Sequence, residues 1–200
     1  MLEKRARSTP DRLAVISSHE NERWTYQQLL DKVDRLANAM CTRLNVSKGD
    51  VIVLWTANTC KFLAILYACA KLGAIFSPLN AFYKHTELSK ALDIVTPKVI
   101  FLPGPGSPQE IAVNNFYEVF LKQVESQPDS LRHLVLLDGS LEKSPLDKLK
   151  VYNYDSLILN EISDEANCRE ACLPIQCHPD ETFALLFTSV SIRNLSRYGI

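Results

Sequence analysis

Apolar and polar positions along this chain fall into blocks of two periods. Ala14 to Ser17 (AVIS) is a short apolar run that reads as a strand, followed by a polar turn, SHENER, leading to Trp24. From Thr25 the period lengthens. Leu29, Val33, Leu36, Met40 and Leu44 recur at helical spacing, with Asp31, Lys32, Asp34 and Arg35 on the other side. Thr25 and Gln28 form a capping-box pair that supplies partners for amides left over at a helix start. Asn45 and Lys48-Gly49-Asp50 end this helix. Val51 to Trp55 (VIVLW) is continuously apolar, as in strands buried on both faces. Asn58 or Thr59 is placed to cap a second helix running to Lys71, with Gly73 as its stop. Ala74 to Pro78 reads as a strand and His85 to Val95 as a third helix that stops before Pro97. Lys98 to Leu102 is the next strand. Ile111 to Val124 predicts a helix, Leu134 to Leu137 a strand, Tyr154 to Leu159 a helical turn, and Phe183 to Thr188 (FALLFT) a final strand.

Buried strand followed by helix, three times over, is the pattern of an α/β domain with a largely parallel sheet. With 46% hydrophobic and 22% charged residues, 200 positions suffice for a globular core. A formal net charge of −1 gives no reason to expect nucleic acid or an anionic membrane as partner. The longest apolar run, Phe62 to Ala70, would rise about 14 Å as a helix, against roughly 30 Å of hydrocarbon. No transmembrane segment is expected. The segment MLEKRARSTPDR lacks the apolar stretch of a secretory signal, and Glu3 and Asp11 interrupt its arginines, which disfavours a transit peptide. Six cysteines in a chain of this size read as reduced thiols, so a cytoplasmic location is expected.

Candidate chemistry is sparse. The turn PGPGSP at 103–108 follows a strand, but its three prolines lack the amides a phosphate loop uses, and a plain turn is favoured. Cys168, Cys172, Cys177 and His178 offer zinc-ligand types at a spacing unlike a standard knuckle, so ordinary thiols are favoured. His19, His85 and His133 are assigned to surface turns or helix ends, each without a nearby cysteine or carboxylate arrangement, and no GxSxG elbow is present. Trp24, Tyr26 and Phe62 read as core. What remains is Thr188-Ser189 directly after a buried strand, at the sheet edge where α/β folds place ligands.

The order of four segments resembles the N-terminal part of the AMP-forming adenylating enzymes, the family of acyl-CoA synthetases, luciferases and peptide-synthetase adenylation domains. The segments are STPDRLAVI, WTYQQLLDKVDRLANAM, KGDVIVLWTANTCKFLAILYACAKLGAIFSPLN and DETFALLFTS. Within them, Lys71 to Asn80 is similar to the family's KxGA…PLN stretch and Leu185 to Ser189 to its L-x-F-T-S strand. The resemblance implies an N-terminal adenylating subdomain over residues 1–189. It also implies activation of a carboxylic acid, fatty or aryl, by ATP to an acyl-adenylate and transfer to coenzyme A. Mg²⁺ would absorb phosphate charge. Thr188 and Ser189 match the first two positions of the family's phosphate loop, TSG[ST]TGxPKG, and are the nucleotide-binding candidates. There the match stops. Val190 stands where the family has glycine, and the rest reads SIRNLSRYGI, where β-branched residues resist positive φ. Residues 190–200 are therefore expected to be a divergent tail. The chain is expected to be a truncated form, binding no ATP, Mg²⁺ or coenzyme A by itself, with no catalytic or metal-ligating residue. The alternative is a non-enzymatic interaction module that associates through an exposed apolar face, or a non-functional splice product.

Overall fold

The structure, a computed structural model, describes residues 1–108, 113–122, 129–139, 149–159, 178 and 180–188. The chain divides into two compact units. The first contains α1 (Leu2–Ser8), the antiparallel hairpin β1 (Leu13–Ser17) and β2 (Glu22–Thr25), and α2 (Tyr26–Thr42). The second contains β3 (Val51–Trp55). Next in the chain, α3 (Lys61–Leu72) returns to the first unit.

Helix α2 begins as the Thr25–Gln28 pair dictates. The Gln28 amide donates to Thr25 Oγ1 at 3.2 Å, and the Thr25 amide donates to Gln28 Oε1 at 2.9 Å. Leu29, Val33, Leu36 and Met40 are buried along one side, which is the stripe the spacing predicts. The helix ends where Asn45 takes a left-handed conformation, φ 50°, and the Val46 amide turns back to Met40 O. Asp34 meets Lys71 of α3 at 2.6 Å. Gly73, at φ 63°, ends α3, and the Ala74 amide closes onto Cys69 O, leaving little choice but glycine there.

In the second unit, β3 is joined by β4 (Ile75–Leu79), α4 (His85–Val95), β5 (Val99–Leu102), α5 (Phe116–Leu121), β6 (His133–Leu136) and β7 (Lys150–Asn153). The five strands form one parallel sheet in the order β4-β3-β5-β6-β7. Leu88, Ala91, Leu92 and Val95 of α4 pack with Phe116 and Phe120 of α5 against Val53, Ile100, Leu134 and their neighbours. Trp55 meets Phe116 edge-on, with ring centroids 5.0 Å apart. Helix α6 (Tyr154–Leu159) follows β7 directly and, from Asp155, belongs to the first unit.

Several elements depart from the sequence reading. Glu22 and Arg23 belong to a strand and not to the turn; pairing with Ile16 and Ser17 holds them there, although their side chains are exposed. Neither α1 nor β7 has an apolar period long enough to announce it. The helix expected over Ile111 to Val124 is observed as Phe116–Leu121; residues 113–115 are irregular because the Asn114 side chain is committed elsewhere. Residues 111, 112, 123 and 124 lie outside the described residues. His133 is no surface residue. It opens β6, is 8% exposed and leans on the Tyr152 ring at 5.7 Å between centroids. Tyr26 and Phe62 are half-buried, whereas Trp24 is buried as core.

Candidate functional site

The C-terminal edge of the parallel sheet is where the ends of β4, β5 and β6 deliver their loops. Residues 182–188 run beside β4, parallel to it, through a bridge between Phe76 and Ala184. The Phe76 amide donates to Phe183 O at 2.9 Å and the Leu185 amide to Phe76 O at 3.0 Å. A parallel ladder would next call for an amide at position 78, but Pro78 has none. The fully buried Ser77 hydroxyl takes its place and donates to Leu185 O at 3.1 Å. The expected strand Phe183 to Thr188 is therefore reduced to one bridge. Counted along the same register, Thr188 falls opposite Asn80, exposed at the sheet edge. Ser189 lies outside the described residues, as do Cys168, Cys172 and Cys177. His178 is exposed, with its Nδ1 3.2 Å from Asp180 Oδ2.

The loop leaving β4 is fixed by five hydrogen bonds. Trp55 Nε1 donates to Asn80 O at 3.0 Å, and the Phe82 amide donates to Asn80 Oδ1 at 2.9 Å. The buried Asn114 donates through Nδ2 to both Ala81 O and Tyr83 O at 2.9 Å, and its Oδ1 accepts from Lys84 Nζ at 2.7 Å. The side chain of Phe82 is nonetheless 69% exposed.

The turn after β5 is closed to a phosphate. The Gly104 amide already donates to Asp138 Oδ1 at 3.1 Å, and a β-carbon at Gly104 would collide with the Asp138 backbone carbonyl. Asn153 Nδ2 in turn donates to Gly139 O at 2.7 Å. These contacts hold two neighbouring loop ends together and make PGPGSP a structural turn. Residues 189–200, where the phosphate loop would fall, lie outside the described residues, and the sequence there offers Val190 and Arg193 where such a cradle needs glycine.

A second polar cluster sits in the first unit. Glu20 reaches across to the start of α3, where it accepts from Thr59 Oγ1 at 2.6 Å and from the Cys60 amide at 2.8 Å. The Cys60 side chain makes no cap, but Thr59, one of the two candidates in the sequence, accepts from the Lys61 amide at 3.3 Å, and Glu20 adds an acceptor for the Cys60 amide from 40 residues away. Burial alone would push this carboxyl up, but the hydrogen bonds of Ser17, Thr59 and Cys60 outweigh it and hold Glu20 below the usual carboxylate range. Burial, joined by the hydrogen bond and charge of Glu20, pushes the Cys60 thiol up to about 12. Ser17 Oγ lies 3.2 Å from His19 Nδ1, and His19 Nε2 lies 2.9 Å from Asn58 O. These are the parts of an activated hydroxyl, yet Ser17 is only 8% exposed, and the cluster fastens the hairpin turn to the helix. Neither Glu20 nor Asn114 was legible as a working residue in the sequence. Each acts over 30 or more positions, beyond any local period.

A parallel sheet flanked by helices, with loops gathered at its C-terminal edge, defines an α/β protein of the class whose ligands lie at that edge. Residues 2–191 match the family described as AMP-binding enzyme, and the chain belongs to it. Among curated relatives it is 31% identical to the mitochondrial medium-chain acyl-CoA ligase ACSF2 of Macaca fascicularis, over 68% of this chain and 22% of that protein. It is 36% identical to the putative acyl-CoA synthetase YngI of Bacillus subtilis, over 46% of this chain and 17% of that protein. The coronafacic acid ligase of Pectobacterium brasiliense superposes on 93% of the chain with a TM-score of 0.72 at 22% identity, the chain covering 32% of it. The chain spans about a fifth of the length of the curated relatives it matches. No helix among the described residues is long and apolar enough to cross a membrane, and no group of three or more metal-ligating side chains occurs among them.

Proposed function

We propose that these residues supply the N-terminal subdomain of an acid–CoA ligase of the AMP-binding family. The ligase acts on a small-molecule carboxylic acid, fatty or aryl, with ATP, Mg²⁺ and coenzyme A, as in fatty acid metabolism. We propose further that these 200 residues by themselves do not catalyse adenylation. The observation that supports the second part is the sequence that follows Ser189. Thr188 stands at the sheet edge, but Val190 follows Ser189 where the family loop turns on glycine, and the Gly104 amide is already taken by Asp138. Thr188 and Ser189 are then the remnant of the nucleotide site. Stabilisation of pyrophosphate departure would be missing, and that electrostatic term is usually the largest in such chemistry. The test is ATP–pyrophosphate exchange by the purified 200-residue chain with short, medium, long-chain and aryl acids. Exchange at the level of the blank is expected; exchange above it with any acid overturns the proposal. Cytoplasmic residence belongs to the same reading and is supported by Cys41, Cys60 and Cys69 being thiols outside any disulfide.

A second reading, a non-enzymatic interaction module, is favoured by Phe183 and Leu186, which are 45% and 72% exposed along the outer segment of the sheet. Capture of a full-length relative by the wild-type chain, lost in a Phe183→Ser, Leu186→Ser variant, would support it.

A further inference from the structure

We propose that Ser8 is a phosphoacceptor for an arginine-directed serine/threonine kinase. Residues 4–8 read Lys-Arg-Ala-Arg-Ser, which puts cations at the fourth, third and first positions before the hydroxyl. Lys4, Arg5, Arg7 and Ser8 are all exposed, and none of the three cations forms an ion pair among the described residues. Ala6 between them is 1% exposed, so α1 is anchored through one small residue while its charged side stays open. Lys4, Arg7 and Ser8 share with Met1 and Glu3 an open concavity of about 460 Å³.

Guanidinium groups pair with carboxylates in a fixed two-pronged geometry, and charge patterns of this kind are how kinases choose substrates. The neighbouring hydroxyl is a poorer acceptor. Thr9 is half-buried, its carbonyl accepts from the Arg12 amide, and the carbonyl of the next residue, Pro10, accepts from the Gln27 amide. Ser8 Oγ makes only a long 3.4 Å contact with Arg5 O. A seven-residue helix opens locally at small cost, which lets the segment extend into a kinase cleft.

In the reaction, Ser8 Oγ attacks the γ-phosphorus of Mg-ATP, the bond to the β,γ-bridging oxygen breaks, and ADP leaves. The hydroxyl proton passes to the kinase's catalytic carboxylate. The added charge, about −1.5 to −2, sits on the helix face that also carries Lys4 and Arg5. Those cations offset its unfavourable position at the C-terminal end of α1.

The test is incubation of the purified chain with Mg-ATP and the catalytic domain of an arginine-directed kinase, beside a proline-directed kinase, with the sites mapped by tandem mass spectrometry. One phosphate on Ser8 is expected with the first enzyme. Ser8→Ala and the double variant Arg5→Ala, Arg7→Ala should each slow incorporation at least about tenfold, whereas Thr9→Ala should leave the rate within about twofold. Circular dichroism of the variants should overlay that of the parent, because every replaced side chain is exposed or half-buried. No phosphate on Ser8, equal rates in the parent and the arginine double variant, or phosphate confined to Thr9 under the proline-directed enzyme overturns the proposal.

Discussion

Removing the Glu20 carboxylate isolates the long-range cap on α3. Glu20→Ala deletes the acceptor for the Thr59 hydroxyl and for the Cys60 amide, and removes a negative charge from the start of a 12-residue helix. Hydrogen bonds to charged groups contribute about 1.5–3 kcal/mol when shielded, and loss of a helix cap costs typically about 1 kcal/mol. Glu20 is only half-buried, so solvent takes over part of what the donors lose. About 2 kcal/mol of destabilisation is expected for Glu20→Ala, and about 1 kcal/mol for Glu20→Gln, which keeps one acceptor of the same shape. At about 2–4 °C per kcal/mol for a chain of this length, Tm should fall by about 4–8 °C and about half that. Urea titration followed by circular dichroism would measure both, with the midpoint moving and the slope unchanged. The pH profile gives an independent reading. The folded carboxyl lies below its ordinary value, so its contribution is complete above the unfolded value of about 4.3 and is lost as pH falls through the folded one. The gap between the parent and Glu20→Gln should therefore be constant at neutral pH and narrow in acid. Variants within about 0.3 kcal/mol of the parent at pH 7, or a gap that widens in acid, would refute the capping argument.

Other expectations follow from the same contacts. The Cys60 thiol, pushed up to about 12, and the buried Cys69 should resist iodoacetamide at pH 8 in the folded chain, while the half-buried Cys41 is alkylated first; peptide mapping of the adducts checks the order. Asn114→Ala leaves the carbonyls of Ala81 and Tyr83 and the Lys84 ammonium without their partner and should cost about 2–3 kcal/mol in a urea titration. Gly104→Ala forces a β-carbon onto the Asp138 carbonyl and should cost about 2 kcal/mol or more, while alanine at Gly106, which meets no neighbour but stands at φ 74°, should cost about 1 kcal/mol; paired thermal melts separate the two.

What the sequence disclosed was whatever depends on near neighbours. The Thr25–Gln28 spacing located the start of α2, and the continuous apolar runs located β3 and β5, because caps and buried strands are written within a few residues. Strand β2 was misread since Glu22 and Arg23 look like turn residues until β1 pairs with them, and His133 was misread since a polar residue can open a buried strand when a ring such as Tyr152 shields it. The final strand was overread. Apolar alternation says nothing of whether the neighbouring strand can donate, and Pro78 cannot. At the candidate site, Thr188 is exposed four residues beyond the single bridge to β4, whereas the clamps made by Asn114 and Asp138 depend on side chains that meet only after folding.

The two buried indoles have a use that has nothing to do with binding. The chain holds two tryptophans, and they are divided between the two compact units, Trp24 in one and Trp55 in the other. Trp24 donates to the Glu22 carboxylate and lies 4.8 Å from the Lys32 ammonium, whereas Trp55 donates to a backbone carbonyl beside the edge of Phe116. Each unit therefore carries its own fluorophore in its own electrostatic setting. Trp24→Phe leaves emission that reports on the sheet-bearing unit alone, and Trp55→Phe leaves emission from the helical one. Denaturation of each half becomes a separate optical signal, recorded without any label.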